Sequence, residues 1–588
     1  AQSEDELQRQ PRRKTKGTKS SKSARGIQAS SAASQEQLQA ISAQVERVVA
    51  GLLGEDTVGS DEPLMDAGLD SLGAVELRNS LATTAGVELP GTLVFDYPSV
   101  RSLAGFLSSQ MADSAPSDEN SSESDLHSGS DWLDMKDEAE HGVAASLYSA
   151  HLNCAQGSPG VYLDNPAVVD APGTVPLTRW DAERDFVAGK PLSVANPARF
   201  GSFMRDVETW DWLVFGISQA EAVQTEPHQR LLLTACYTAL LYGGESVSSA
   251  MGSHRNVVVG ISGAEYGAIM ASSYPLTPYT SMAGCLNVAC GRLSYTFGLN
   301  GPCLSIDTIC SASMVSTHIS SQMIKNHECE SGWAAGVNVT LLPHGFAILI
   351  IANMMAPDGR CKTLDATGDG YVRAEACGVV EMDDAMDDAL RALVAVCGSA
   401  VNQDGRSSSL TAPNGPSQQA VIRNALDSTE VEVAELEQLE MHGTGTSLGD
   451  PIEVGAACAV LLGRKIKRTP ITLWAAKSSH GHAEAGAGIL NINHILTNLT
   501  HLRTCYITNL RIVNPYVGET MAIAKQTSAP REDVAICTAR DPHTMSAAGS
   551  SAFAFQGTNA HVILGVVSTG NGNVMTHRTL YQQASSWV

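Results

Sequence analysis

The chain has 588 residues, 43% hydrophobic and 17% charged, so most of it can bury a core and several domains fit. Its formal net charge of −24 argues against nucleic acid as a general partner, because phosphate binding wants a basic face. Its 13 cysteines make no Cys-x-x-Cys pair and no regular spacing, which reads as reduced thiols rather than a disulfide framework, and no metal site is expected.

Residues 1–34 are polar, with lysine and arginine clustered from Arg9 to Arg25, and read as a disordered basic linker. Residues 35–110 read as a small helical domain. Leu38, Ile41, Val45, Val48 and Val49 recur at helical spacing. Asp70-Ser71 opens a second helix with apolar Leu72, Val75, Leu77 and Leu81. Leu93, Phe95, Tyr97-Pro98, Val100 and Leu103 to Leu107 close the bundle. Serine at 71 suits an N-cap in any case. Residues 111–142 are rich in serine, aspartate and glutamate, and read as an acidic flexible tether that raises effective concentration between its neighbours.

A large domain is expected over 143–566, with a tail at 567–588. Val257–Ile261, Leu304–Asp307 and Trp333–Val339 read as short buried strands alternating with helices, which predicts α/β structure with parallel βαβ units. Val394–Ala400 and Glu437–Met441 start a second half, so the halves fall at about 143–393 and 394–566. The longest apolar runs, such as Gly345 to Ala352, are too short to span a bilayer, and no signal peptide is visible. A cytoplasmic setting is expected. The chain starts at Ala1 and reads as a fragment or processed product, so an organelle stays open.

The chemistry centres on Ser305-Ile306-Asp307-Thr308-Ile309-Cys310-Ser311-Ala312-Ser313. This is a strand end, a tight turn with one cysteine, and a helix running through Met314 and His318. A helix N-terminus favours the thiolate, which predicts a nucleophile populated near neutral pH. Two partners stand downstream: His442 in His-Gly-Thr-Gly-Thr, and His482 in Lys477-Ser478-Ser479-His480-Gly481-His482-Ala483-Glu484. Cysteine with distant histidines is a nucleophilic acyl-transfer constellation.

These stretches, in this order, resemble the β-ketoacyl synthase (ketosynthase) domain of modular polyketide synthases, from about Trp180 to Leu564. Phe215-Gly216-Ile217-Ser218, Glu226-Pro227-His228-Gln229-Arg230, Gly291-Arg292-Leu293-Ser294-Tyr295, Ser399 to Gly405 and Gly557-Thr558-Asn559-Ala560-His561-Val562 carry the likeness. Gly68-Leu69-Asp70-Ser71-Leu72 in its small bundle resembles an acyl carrier protein. The resemblance implies a thiolase-like fold of two layered βαβαβ halves behind a four-helix carrier bundle. It implies 4′-phosphopantetheine on Ser71. It implies polyketide chain elongation by decarboxylative Claisen condensation, with the acyl chain on Cys310 and the extender on a carrier.

The same resemblance gives each residue a role. Cys310 is the nucleophile, and His442 and His482 are neutral donors to the enolate left by CO₂. The backbone N–H groups of Cys310 and Phe555 are the oxyanion donors. Lys477, paired with Glu484, orders the site. Thr444 and Thr446 hold the pantetheine arm. Asp307 and Asp450 are structural, and Phe553 and Phe555 flank a gate. Implied partners are acyl and malonyl-type thioesters on carriers, a phosphopantetheinyl transferase, an acyltransferase elsewhere in a longer chain or in trans, and a second copy in a homodimer.

Alternatives separate by residue. Decarboxylase-only relatives carry glutamine where Cys310 stands, and thiolases place a cysteine where His482 lies. A fatty-acid synthase fragment and a non-elongating acyl-binding or transacylating scaffold stay open. The family's Lys-Ser-Asn-Ile-Gly-His is here Lys-Ser-Ser-His-Gly-His, and the spacing from Gly481 to Glu484 selects His482 over His480. The family's Phe-Gly-Phe-Gly-Gly is here Phe553-Ala554-Phe555-Gln556-Gly557, which predicts a stiffened or distorted gate. Ser146 to Cys154 matches the family's opening strand poorly.

Overall fold

The computed structural model describes residues 41–50, 59–64, 67, 69, 77–78, 80–81, 89, 93–113, 145–154, 170–263, 265–273, 277–384, 394–462, 471–501, 503–504, 507–524, 527–528, 534–535 and 547–566. The chain divides into two compact units, Ala1–Glu123 and Ser124–Val588. Ser71, the linker reading at 1–34 and residues 114–142 of the linker reading at 111–142 lie outside the described residues, while 111–113 belong to the helix Val100–Asp113 rather than to a linker.

In the first unit, a helix at 41–50, the turn Leu93–Asp96 and the helix Val100–Asp113 enclose one apolar core. Ile41, Val45 and Val49 fall four residues apart and are buried with Leu64, Leu77, Leu81, Leu93 and Leu103. Tyr97 stacks on Phe106 with ring centroids 4.4 Å apart.

The second unit is built on an 11-stranded sheet. In chain order its strands are β1 Ala145–Cys154, β2 Arg255–Ile261, β3 Cys303–Ile306, β4 Ser331–Asn338, β5 Ala376–Asp383 and β6 Val394–Gln403. They continue as β7 Leu436–Glu440, β8 Ile471–Trp474, β9 Thr527–Ser528, β10 Ala547–Phe553 and β11 Thr558–Val566. Their spatial order is β9-β8-β7-β10-β11-β6-β1-β5-β4-β2-β3.

One half carries the parallel trio β3-β2-β4 followed by antiparallel β5. The other carries parallel β8-β7-β10 followed by antiparallel β11. The two runs mirror each other across β1 and β6, which pair antiparallel at Ala145–Leu147 and Val394–Val396. The expected strands are all present, but the sheet is mixed rather than all parallel. The segment Ser146 to Cys154 forms most of β1, pairing along its length with β5.

Two helices fill the centre. Helix α1, Ala312–Lys325, is buried on most faces, with Ala312, Ser313, Met314, Ser316, Thr317, Ser320 and Ile324 among its buried residues. Its hydroxyls return hydrogen bonds locally, so small polar residues replace an apolar stripe. Thr317 donates to Ser313 O at 2.9 Å, and Ser316 reaches Ala335 O on β4 at 3.0 Å. Helix α2 spans His344–Ile351, and helix α3 spans Gly449–Leu462. The short turn α4, Lys477–His480, leads toward helix α5, Ala487–His501, which packs on α1.

The close approach of α1 depends on glycine. A Cβ on Gly260 would meet the Ser313 nitrogen at 2.4 Å, and one on Gly336 would meet Ser313 Cβ at 2.4 Å. Overpacking a core by a methyl group typically costs about 1–3 kcal/mol. Gly260→Ala is therefore expected to lower the chemical-denaturation midpoint by a corresponding amount, and an unchanged midpoint would contradict this packing.

Candidate active site

Cys310 is presented by a strained turn. Past the end of β3, Asp307 Oδ1 accepts the Ile309 N–H at 3.1 Å, and Ile309 stands at φ 51. A β-branched residue there costs of order 1–3 kcal/mol and persists only when its surroundings enforce it. The one-turn helix Ile309–Ser311 then runs into α1. Asp307 thus braces the turn, as expected of a structural residue.

The protonation state differs from expectation. Cys310 is 7% exposed. Burial, with the Glu484 charge adding to it, pushes the thiol up to about 12, against Lys477 and the N–H groups of Phe555 and Cys310 itself. The N-terminal dipole is worth at most about 2 kcal/mol, and desolvation of a buried anion outweighs it. The resting sulfur is a thiol.

His442 follows β7. Glu453, on α3, accepts the N–H of His442 at 2.6 Å and of Gly443 at 2.8 Å. Phe553 N–H donates to His442 Nδ1 at 3.3 Å. His482 follows Gly481, whose φ is 83, and its N–H donates to Val372 O at 2.7 Å. Glu484 N–H donates to His482 Nδ1 at 3.1 Å. With Nδ1 accepting in both rings, each neutral imidazole carries its proton on Nε2. The His482 Nε2 is buried and has no partner among the described residues. The two rings lie 5.5 Å apart, nearly perpendicular at 89°. Burial first, then the Lys477 charge, holds both well below the usual imidazole range.

A cavity of about 250 Å³ joins these groups; Cys310, His442, His482, Thr444, Thr446, Phe553 and Phe555 all line it. The Thr444 and Thr446 hydroxyls sit 3.3 Å apart. Gln418 and Asn559 line it too, and Gln418 Oε1 and Asn559 Oδ1 lack partners among the described residues. His480 lies elsewhere: it is buried, its Nδ1 is 3.1 Å from Ala476 O, and burial lowers it to about 4.

Lys477 is 1% exposed, and its Nζ has no hydrogen-bond partner among the described residues. Its expected pairing with Glu484 does not form. The Glu484 carboxylate is taken by Arg373, Nε–Oε1 2.6 Å and Nη2–Oε2 3.0 Å, because a guanidinium fork matches both oxygens. Burial drives Lys477 toward its neutral form, and the charges of Glu440 and Glu453 act the other way. Asp450 accepts Leu364 N–H at 2.7 Å and Gly445 N–H at 3.1 Å, which braces the loop after His442.

Phe553 ends β10 with its ring 5.8 Å from that of His442, and Phe555 is 41% exposed at the rim. Among Ala554, Gln556 and Gly557, only Gly557 has positive φ, at 94. Ala554 and Gln556 therefore strain nothing, and the expected distortion is absent. Glu453, Arg373 and Tyr371 join the site without having been expected there. Asp450 and Glu453 are the only acids in an otherwise apolar α3, three apart on one face, and that is a readable signal. Arg373 and Tyr371 carry none.

Among the described residues no cluster of three or more His, Cys, Asp or Glu could hold a metal ion, and no helix is long and apolar enough to cross a membrane. Family models match three segments: phosphopantetheine attachment site at 43–107, β-ketoacyl synthase N-terminal domain at 167–388, and its C-terminal domain at 393–510. The chain is 33% identical over 546 residues to pikromycin polyketide synthase component PikAII of Streptomyces venezuelae, covering 91% of this chain and 14% of that protein. It is 33% identical over 525 residues to mycoketide-CoA synthase of Mycobacterium tuberculosis, covering 88% of this chain and 12% of that one. The chain thus spans only a small part of the length of these relatives. Among solved structures, the ketosynthase from module 6 of the bacillaene synthase of Bacillus subtilis 168 matches with TM-score 0.66 and 26% identity over 73% of each chain. An oxazolomycin ketosynthase domain from Streptomyces albus JA3453 matches with TM-score 0.66 and 27% identity, over 72% of this chain and 74% of that one. With both ketosynthase halves and the carrier segment matched in order, the chain belongs to the β-ketoacyl synthase family, as a carrier-plus-ketosynthase segment of the modular polyketide synthase kind.

Proposed function

We propose that this chain elongates a polyketide by decarboxylative Claisen condensation. The observation that carries this is one cavity that Cys310, His442 and His482 line together. Cys310 attacks the carbonyl of an acyl thioester; its S–H proton leaves with the departing carrier thiol, and the acyl group stays on sulfur. The N–H groups of Cys310 and Phe555 hold the oxyanion in this step. A malonyl-type thioester then loses CO₂, and the electron pair moves into an enolate. The Nε2–H groups of His442 and His482 donate to that enolate oxygen. The enolate carbon attacks the acyl carbon, the C–S bond breaks, and the sulfur takes up a proton. Lys477 orders the site between Glu440 and Glu453.

Ser71 is the attachment point assigned to 4′-phosphopantetheine, whose terminal thiol supplies the thioester. The Thr444 and Thr446 hydroxyls and the open acceptors of Gln418 and Asn559 fit its amide-bearing arm. The matched carrier segment supports carrier-bound acyl and malonyl-type thioesters as substrates; this reading further calls for a phosphopantetheinyl transferase for Ser71 and an acyltransferase from a longer chain or in trans. The domain spans 35–110 and 143–566 remain our assignment. A second copy is the expected partner at β3, the end of the sheet, where Leu304 is 39% and nearby Tyr295 89% exposed.

Three outcomes test this. After phosphopantetheinyl transfer and acyl loading, intact mass should show one adduct on Ser71 and one on Cys310, with β-keto product on malonyl-carrier addition that Cys310→Ala abolishes. Acyl loading without product would favour the scaffold instead. Because both imidazoles are held well below 6.5, decarboxylation should stay flat from about pH 8 to 6.5 rather than fall as pH drops; a decline over that range would mean they protonate there. Finally, Leu304→Asp should shift sedimentation from dimer toward monomer, and an unchanged dimer would place the interface elsewhere.

A further inference from the structure

Tyr371 has no part in the mechanism, although it lines the cavity together with Cys310 and His482. Backbone bonds fix its place on both sides. Gly370 N–H donates to Gly445 O at 3.2 Å, in the loop after His442, and Val372 O accepts His482 N–H at 2.7 Å. Tyr371 therefore stands between the two segments that carry the imidazoles. Its own N–H donates to Met354 O at 3.1 Å, and its carbonyl accepts Ala356 N–H at 2.9 Å. Glycine makes this path possible: Gly370 has φ 141, and a Cβ there would meet Met354 O at 2.6 Å. The Tyr371 ring meets that of His482 in a T-shaped contact, centroids 5.1 Å apart and planes at 68°. Its hydroxyl makes no hydrogen bond among the described residues. Burial first, then the Glu484 charge, raises the phenol well above its ordinary value, so the proton stays on oxygen and the group remains a donor.

The chemistry narrows what this hydroxyl can serve. The enolate and the oxyanion already have their assigned donors, and Thr444, Thr446, Gln418 and Asn559 are assigned to the arm. A donor on the malonyl carboxylate would stabilise the group that must leave as CO₂, and so would oppose the reaction. The acyl chain remains. Its β-carbon lies close to the carbon held on Cys310, inside the cavity that Cys310 and Tyr371 share, where Met354 and Leu448 add apolar wall. Resting on the reading of Cys310 as nucleophile, we propose that Tyr371 is a specificity-determining residue: its hydroxyl bonds to an oxygen on the β-carbon of the incoming acyl chain, so that the site selects oxygen-bearing chains over fully reduced ones. A keto oxygen accepts from the phenol, and a hydroxyl either accepts or donates. A reduced chain covers the phenol and leaves it unpaired, which is the cost that discriminates.

The test is acyl loading of the full chain from N-acetylcysteamine thioesters, followed by mass on the peptide that contains Cys310. The acyl group passes to the Cys310 sulfur, and the thiol proton leaves with the freed N-acetylcysteamine. Butyryl is compared with acetoacetyl and with each enantiomer of β-hydroxybutyryl, all on one carbon skeleton. Wild type should load the best oxygen-bearing chain about tenfold faster than butyryl. Tyr371→Phe keeps the ring on His482 and removes only the oxygen, and its loading rates should fall toward equality. A merely structural role slows every chain alike and leaves the ratio unmoved, and that result overturns the proposal. Equal loading by wild type overturns it too. If Tyr371→Phe does not fold, the wild-type ratio decides: the tenfold preference supports the proposal, and equal loading sinks it. Absence of any acyl group on Cys310 would overturn the nucleophile reading and this proposal with it. Selective loading without β-keto product on malonyl-carrier addition would fail the condensation reading alone.

Discussion

The site exists because two helices come closer to their neighbours than a Cβ allows. Gly260 and Gly336 let α1 settle on β2 and β4, and a Cβ on Gly488 of α5 would meet the Met314 nitrogen of α1 at 2.6 Å. Each helix is led by a one-turn helix, Ile309–Ser311 before α1 and Glu484–Gly486 before α5. Each leading turn begins with a non-glycine residue at positive φ, Ile309 at 51 and Glu484 at 44. The two halves therefore build the same device once each, and both N-termini open on one place. One supplies the nucleophile. The other supplies the N–H that orients the second histidine. Strain at 309 and 484 survives because the helices behind them cannot move without breaking close contacts with sheet and partner helix.

Desolvation sets the charge state of nearly everything at that meeting point. It raises the Cys310 thiol and the Glu453 carboxyl, and lowers His442, His482 and Lys477. Each shift runs toward the neutral form. A helix dipole of about 0.3–2 kcal/mol is too small to reverse that for a sulfur with this little exposure. The consequence is chemical. A neutral, dry site does not stabilise charge at rest; its fixed N–H donors act where charge develops, on the oxyanion and the enolate. Neutral imidazoles suit that better than imidazolium, because they donate from Nε2 without adding a full charge that would bind a carboxylate and oppose loss of CO₂.

Much of this is legible in the residues. Cys310 between a strand end and a helix of small residues, His442 in its glycine-rich loop and His482 after Gly481 all line the cavity, and the strands at 257–261, 333–339 and 394–400 fall where expected. These are local signals: a turn, a period, a glycine needing positive φ. What stays hidden is long range. The Arg373–Glu484 pair joins residues 111 apart, and nothing near either one names its partner, so the sequence points Glu484 to the lysine seven positions before it. The thiol's protonation departs from expectation for a related reason. Helix position can be read along the chain, but burial is a property of the assembled core. The mixed sheet belongs here too, since the antiparallel turn from β4 to β5 passes through a long excursion with no short-range pattern.

The departures from the family motifs are informative once geometry separates backbone demand from side-chain habit. In the gate turn only Gly557 adopts a conformation that needs glycine, with Ala554 N–H donating to Thr558 O at 3.0 Å and Gly557 N–H to Ala554 O at 2.8 Å. Gln556 adds a bond that glycine could not: its Oε1 accepts Thr558 N–H at 2.6 Å. At 480 a histidine stands where an apolar residue is usual, and it keeps the apolar direction by turning inward to Ala476 O. Ser479 meets the Thr508 hydroxyl at 2.9 Å in place of an amide. Each change falls where the chain had a spare side-chain direction, and none falls at Gly481, whose φ of 83 lets His482 reach the cavity. In this chain the glycines that set the path of the backbone, Gly481 and Gly557, are kept, and Ser479, His480 and Gln556 make hydrogen bonds of their own.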